Sequence, residues 1–286
     1  MTEKDSAIGE AKEKADEVAE QVAKHPWTER VARIGYAAKG VVYIAVGALA
    51  TMAALGVGGE ATDVRGAMRS IARQPFGTVL LAIVALGLTA YVAWRWVQAV
   101  TDADDKGTDA KGIALRVGYT GSGLVYAGFA LSAARILLGA REEGRPSAAQ
   151  SWTAKLMEFP YGWALVILAG LAVIGFGLYQ CYKGLTAKFR KRLKVGEMSA
   201  GAVRWATRSG RAGFISRGVV FLIVGGFLIQ AALYYDSSQA KGLDGALQTL
   251  ARQSYGKWLL GAVALGLVAY GFYMLIEARY RRIAGS

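Results

Sequence analysis

Five basic side chains stand at repeated places in this chain, and the chemistry open to them is anion binding. Arg33, Arg116 and Arg211 each begin the same phrase, Arg-x-Gly-aromatic-x-x-x-Gly-(Val/Leu)-Val-aromatic. Lys39 and Arg217 follow six residues later in the first and third copies, where the second copy has Ser122. Cations beside helix N-termini suit phosphate or carboxylate, because the free N–H groups and the dipole favour negative charge there. If the three copies surrounded one axis, these side chains could converge on it. The competing reading is that they are ordinary anchors pairing with lipid phosphate, as positive residues at cytoplasmic helix ends do.

A denser basic cluster links the second and third copies: Lys188, Arg190, Lys191, Arg192 and Lys194, then Arg204, Arg208 and Arg211, with Glu197 opposing. Near anionic lipid each such residue gains about 1 kcal/mol. This segment is therefore a candidate contact for anionic lipid or an acidic protein partner. The formal net charge of +13 could suggest nucleic acid, but its placement beside apolar runs argues against that.

Other chemistry is scarce. The apolar runs contain no Asp or Glu, and Glu277 lies just beyond the last. Proton relays and cation sites ordinarily use carboxylates, so coupled pumps and cation channels are disfavoured. Lys39, Arg95, Arg135 and Arg217 lie within a few residues of run ends, where they could snorkel. Cys181 reads as a small buried hydrophobe, and His25 as solvated or interfacial. There is no His-Glu-x-x-His, Gly-x-Ser-x-Gly, Walker-type or Cys-x-x-Cys motif. These absences point away from an enzyme, a cofactor and a metal site.

The elements that must position these residues are apolar and repeated. Six runs of about 20 residues, near 34–55, 78–100, 117–138, 162–182, 214–235 and 257–276, are long enough to cross a bilayer. They lack the alternation of barrel strands, so they predict helices. The even-numbered runs match as well, opening on Phe76-Gly77, Tyr161-Gly162 and Tyr255-Gly256. They close on Gly87-x-x-x-Tyr91, Gly175-x-x-x-Tyr179 and Gly266-x-x-x-Tyr270, with three extra residues before Gly175 in the second repeat. The chain thus divides into a polar tail (1–26) and three two-helix repeats (27–105, 110–194 and 199–286).

Within each repeat, a short amphipathic helix is expected on the extracytoplasmic side, with Val64, Met68 and Ile71, or Leu243, Leu247 and Leu250, on one face. In the second repeat Trp152, Leu156 and Phe159 play this part less cleanly. Gly40 and Gly47, and Gly218 and Gly225, are spaced for close helix packing. Of the 34 Lys and Arg residues, 24 fall on the side of the termini, which places both termini in the cytoplasm. Residues 1–24 carry a thin stripe (Ile8, Ala11, Ala15, Val18, Val22) that suggests a partly ordered helix.

The threefold phrase, each copy heading a two-span unit, resembles the bacterial membrane family of domain of unknown function 1206 over about residues 27–286. The resemblance implies an all-α, six-span protein of three tandem domains in a bacterial cytoplasmic membrane, and carries no catalytic residues with it. A pseudo-threefold bundle is the simplest arrangement. Two functions are expected from the residues: a non-enzymatic scaffold contacting lipid, a protein partner or a second copy, or an anion or small-molecule conduit along the axis.

Overall fold

Six long helices carry the fold in the computed structural model, which describes residues 25–101, 107, 109–140 and 147–282. They are α1 (Pro26–Leu55), α3 (Gly77–Val100), α4 (Ala110–Leu137), α6 (Gly162–Leu185), α7 (Ala200–Leu233) and α9 (Gly256–Tyr280). Three short helices, α2 (Val64–Ala72), α5 (Ala148–Met157) and α8 (Leu243–Ala251), join them in pairs. The helical reading of residues 1–24 lies outside the described residues. Five of the long helices are apolar enough to cross a membrane. The exception is α4, which at 28 residues has the length but whose centre, Gly118-Tyr119-Thr120-Gly121-Ser122-Gly123, dilutes the apolar run.

The long helices pack side by side in the order α4, α3, α1, α9, α7, α6. Of the contacts between repeats (α3–α4, α1–α9, α6–α7), the last two are built on small residues. A Cβ on Gly40 would lie 2.8 Å from the Gly271 carbonyl oxygen, and one on Gly271 2.6 Å from that of Gly40. Gly218 and Gly177 face each other in the same way, at 2.8 and 3.0 Å, as do Gly225 and Gly170. Between apolar helices in lipid, such close backbone contact takes the place of hydrophobic drive.

These contacts correct the register expected for the second repeat. Gly177 follows Gly162 by fifteen residues, as Gly271 follows Gly256, and both face the same glycine of the phrase. No extra residues intervene, so the counterpart of Tyr91 and Tyr270 is Phe176 and not Tyr179. Three edge-to-face ring pairs between repeats agree: Tyr126–Tyr91 at 4.6 Å, Tyr43–Tyr270 at 4.8 Å and Phe221–Phe176 at 5.0 Å.

Within repeats the three copies differ. A Cβ on Gly35 would lie 2.6 Å from Tyr91 Cα, and one on Gly213 2.5 Å from Tyr270 Cα, so α1–α3 and α7–α9 are closed. At Gly118 and Gly121 on α4 a Cβ would meet no described residue within 4 Å. Phe176 is 45% exposed, where Tyr91 and Tyr270 are 0% and 2% exposed. Among the described residues no packing like that of the other two pairs joins α4 to α6. A seam therefore separates the two long helices of the second repeat.

The short helices close one end of the bundle. Met68 and Leu247 are fully buried, so the apolar faces of α2 and α8 pack on protein and do not lie on lipid as expected. Trp152 on α5 and Phe159, two residues past its end, are exposed. At the other end, the basic connection forms two 3₁₀ turns, Lys188–Arg192 and Val195–Glu197. Phe189 and Leu193 are buried, and Lys194 N–H donates to the Tyr280 carbonyl at 2.7 Å while Arg282 N–H donates to that of Arg192 at 2.9 Å. This segment is a docked plug tied to the C-terminal end of α9.

Candidate functional site

Lys39, Arg95 and Arg217 meet inside the bundle, held by tyrosines from the repeated phrases. Lys39 is 4% exposed. Its Nζ donates to the Tyr91 hydroxyl at 2.9 Å and lies 4.7, 4.8 and 5.7 Å from the rings of Tyr91, Tyr126 and Tyr270. Arg95 Nε reaches the same Tyr91 hydroxyl at 2.8 Å, and another guanidinium nitrogen donates to Gln98 Oε1 at 2.8 Å. Arg217 donates to the Tyr270 hydroxyl at 2.6 Å and lies 5.3 Å from the rings of Tyr43 and Phe221. Its Nε is buried without a hydrogen-bond partner among the described residues.

The cluster lies well inside helices that are long and apolar enough to cross a membrane. At 1.5 Å per residue, Lys39 and Arg217 lie about 24 Å from the short-helix ends of α1 and α7. Tyr91 and Tyr270 lie about 21 Å into α3 and α9 by the same measure. Lys39, Arg95 and Arg217 turn inward to tyrosine hydroxyls and do not snorkel along the helix exterior, as their closeness to run ends suggested. The reason is helix rotation: Tyr91 and Arg95 share a face of α3, and that face turns inward. Arg135, by contrast, is exposed at the end of α4.

None of the three cations forms an ion pair with a carboxylate among the described residues. Glu277, expected beyond the last span, is buried within α9 two turns from Tyr270 and is engaged by Arg281. Cations held over aromatic faces away from water gain about 2 kcal/mol or more. Removing each ion from water costs several kcal/mol, and the three also repel one another. The arrangement therefore favours an anion among them.

Toward the termini the cluster rests on an aromatic floor of Tyr36, Trp94, Phe214 and Tyr273, all buried. Trp94 Nε1 donates to the Tyr36 hydroxyl at 3.2 Å, and Phe189 of the plug stacks on Phe214 at 5.1 Å. Toward the short helices, Val46, Val84, Leu88, Val263 and Leu267 fill the interior. Both axial directions are packed.

Of the sequence candidates, Lys39 and Arg217 come together; Arg33, Arg116 and Arg211 do not join them. Arg33 donates to the Ala278 carbonyl at 2.7 Å, to that of Arg279, and to Glu29. Arg116 donates to the carbonyls of Ala99 at 2.7 Å and Val100 at 2.9 Å. Each caps the last turn of a neighbouring repeat's helix, where carbonyls lack partners and the dipole favours a cation. Arg211 is exposed. Lys188, Arg190 and Lys191 are also exposed, Lys188 beside the Tyr182 hydroxyl, while Arg192 and Lys194 are half-buried. Arg95 and the tyrosines are what sequence reasoning missed. The recurrence of an aromatic at Tyr43, Tyr126 and Phe221, and of Tyr91 and Tyr270, was the available signal.

Helical repeats with membrane-spanning helices, a glycine-built interface between repeats and an inward-facing aromatic at each copy define the class of protein. The chain belongs to the family of the Domain of Unknown Function DUF1206, whose pattern matches residues 34–102, 117–187 and 212–281. It is 36% identical over 258 residues to Uncharacterized protein YxxB of Bacillus subtilis (strain 168), covering 90% of this chain and 93% of that protein. No solved structure matches it.

Proposed function

We propose that this is a non-enzymatic membrane protein that binds an anion at Lys39, Arg95 and Arg217. The observation that carries the reading is the convergence of three cations inside a bundle of apolar helices with no carboxylate paired to them among the described residues. Ionisable groups inside a bilayer are expensive and mark function by default. Six spans, with α4 as the third, are arranged with pseudo-threefold symmetry that fails at the α4–α6 seam. Both termini face the cytoplasm of a bacterial cell, a setting supported by the Bacillus relative. The packed layers above and below the cluster favour binding over an open pore, so a conduit would need a second, opened state.

The test is anion-dependent stabilisation of the purified protein. A ligand at one hundred times its Kd stabilises by about 2.7 kcal/mol, enough to raise the melting temperature by several degrees. Inorganic phosphate and short carboxylates should do so for the wild type and not for K39Q/R95Q/R217Q. Equal shifts in both, or none in either, would sink the proposal. The scaffold reading keeps one observation of its own, the exposed Lys188, Arg190 and Lys191. Binding to anionic liposomes that survives their neutralisation would remove it.

A further inference from the structure

We infer that the anion is the head of an amphiphile that enters sideways from the bilayer through the seam between α4 and α6; this rests on the anion site proposed above. The cluster is blocked along the axis in both directions, by the aromatic floor and the Phe189 plug on one side and by apolar packing on the other. Its open flank is lateral. Gly118 and Gly121 hold the register of Gly35 and Ala38, and of Gly213 and Ser216, residues that pack against the partner helix in the other repeats. In the second repeat no described residue lies within 4 Å of a Cβ at either position. On the facing helix, Phe176 is half exposed in the register of two buried tyrosines.

The seam leads to the charged groups. Phe176 pairs with Phe221, whose ring lies 5.3 Å from the Arg217 guanidinium. Behind the open face of α4, Tyr126 is buried against Tyr91, and its ring lies 4.8 Å from Lys39 Nζ. Ser122 takes the register of Lys39 and Arg217, so α4 adds no fourth cation there. Arg95 and Arg217 are each partly exposed, as groups at the inner end of such an opening would be.

The chemistry selects one class of occupant. The inner end asks for a carboxylate or phosphate, and the buried Arg217 Nε still lacks an acceptor. The outer part, glycine on one wall and apolar aromatic on the other, asks for a hydrocarbon chain. A fatty carboxylate or a lipid phosphate satisfies both. A helix from a second copy would fill the apolar part and leave the cations uncompensated.

Two probes and two variants test this in non-ionic detergent: labelled oleate and inorganic phosphate against G118L/G121L and K39Q/R95Q/R217Q. The leucines point into open space, so the fold should tolerate them. They should weaken oleate binding by about tenfold or more, equivalent to roughly 1.4 kcal/mol, and leave phosphate binding nearly unchanged. The charge variant should lose both ligands. Oleate binding that ignores the seam leucines overturns the lateral route, and so does phosphate binding without any oleate binding; in both cases the anion site stands. Failure of the wild type to bind either probe overturns both proposals. Dimers that become monomers in G118L/G121L, with oleate binding unaltered, would assign the seam to a second copy and also overturn the route.

Discussion

Tyr91 holds the cluster together, because its hydroxyl accepts from both Lys39 and Arg95. Tyr91→Phe keeps the ring but leaves two buried cationic donors short of an acceptor. An unmet buried donor costs about 1–3 kcal/mol, more when charged, so the variant should melt lower by several degrees. Lys39→Met should behave differently. It removes one of three mutually repelling buried cations, whose desolvation costs several kcal/mol, and keeps the side-chain volume, so it should leave the melting temperature unchanged or raise it while abolishing anion binding. Melting curves for the pair decide the matter: if Lys39→Met destabilises as much as Tyr91→Phe, the cation is structural and not a ligand site. Lys39 and Arg217 are legible in the sequence because they recur at one offset in a repeated phrase. Arg95 has no basic counterpart in the other copies, and its nearness to the end of α3 suggests an outward course. Which way a helix faces is not encoded where nearly all its residues are apolar.

Among the helices, glycine separates interfaces that are closed from one that is not. Gly40→Ala must push the α9 backbone away, since its Cβ would sit 2.8 Å from the Gly271 oxygen, and overpacking of this kind costs about 1–3 kcal/mol. Gly121→Ala meets open space and should stabilise α4 by about 0.5–1 kcal/mol through helix propensity. Similar melting shifts for the two would contradict the seam. The heptad spacing of glycines on α1 and α7 reveals these contacts from sequence. The register of α6 is not so readable, because Gly175-x-x-x-Tyr179 copies the motif of α3 and α9 one turn out of place. Local likeness misleads there, and only the facing glycines of α7 correct it.

The short helices add a pH dependence. Asp63 caps α2 by accepting from Gly66 N–H at 2.9 Å. Burial raises its carboxyl above the ordinary value, the Gly66 bond opposes the shift, and Asp244 adds to it. The folded chain therefore holds this proton more tightly than the unfolded one. Its contribution is fully present below the ordinary carboxylate value and is lost as pH rises through the raised one. Asp63→Asn retains an acceptor for the cap and removes the titration. Stability of the variant should fall less than that of the wild type across this range, and identical slopes in a pH series of melting curves would count against the assignment.

For the whole molecule, the packing bears on how many times the chain crosses the membrane. Five helices are plainly apolar enough, and five crossings would leave the termini on opposite sides. Yet Arg33, near the start of α1, donates to carbonyls at the end of α9, so the first and last helices meet at the same face. The proposed crossing by α4 would reconcile the two. Arg116 near its start reaches the end of α3 at that face, and its body also packs on α2 at the other. This helix runs from one end of the bundle to the other along α3, on which Gly123 and Tyr126 pack. Without Lys39, Arg95 and Arg217, which face inward, 21 of the remaining 31 basic residues still lie on the terminus side. Reporters fused before Met1 and after Ser286 should both read as cytoplasmic. A cysteine replacing Ser238, beside the short helices, should label from outside the cell in a Cys181→Ser background. Reporters on opposite sides would overturn the proposal that α4 is a span, and with it the proposed pseudo-threefold arrangement that makes the open seam an exception.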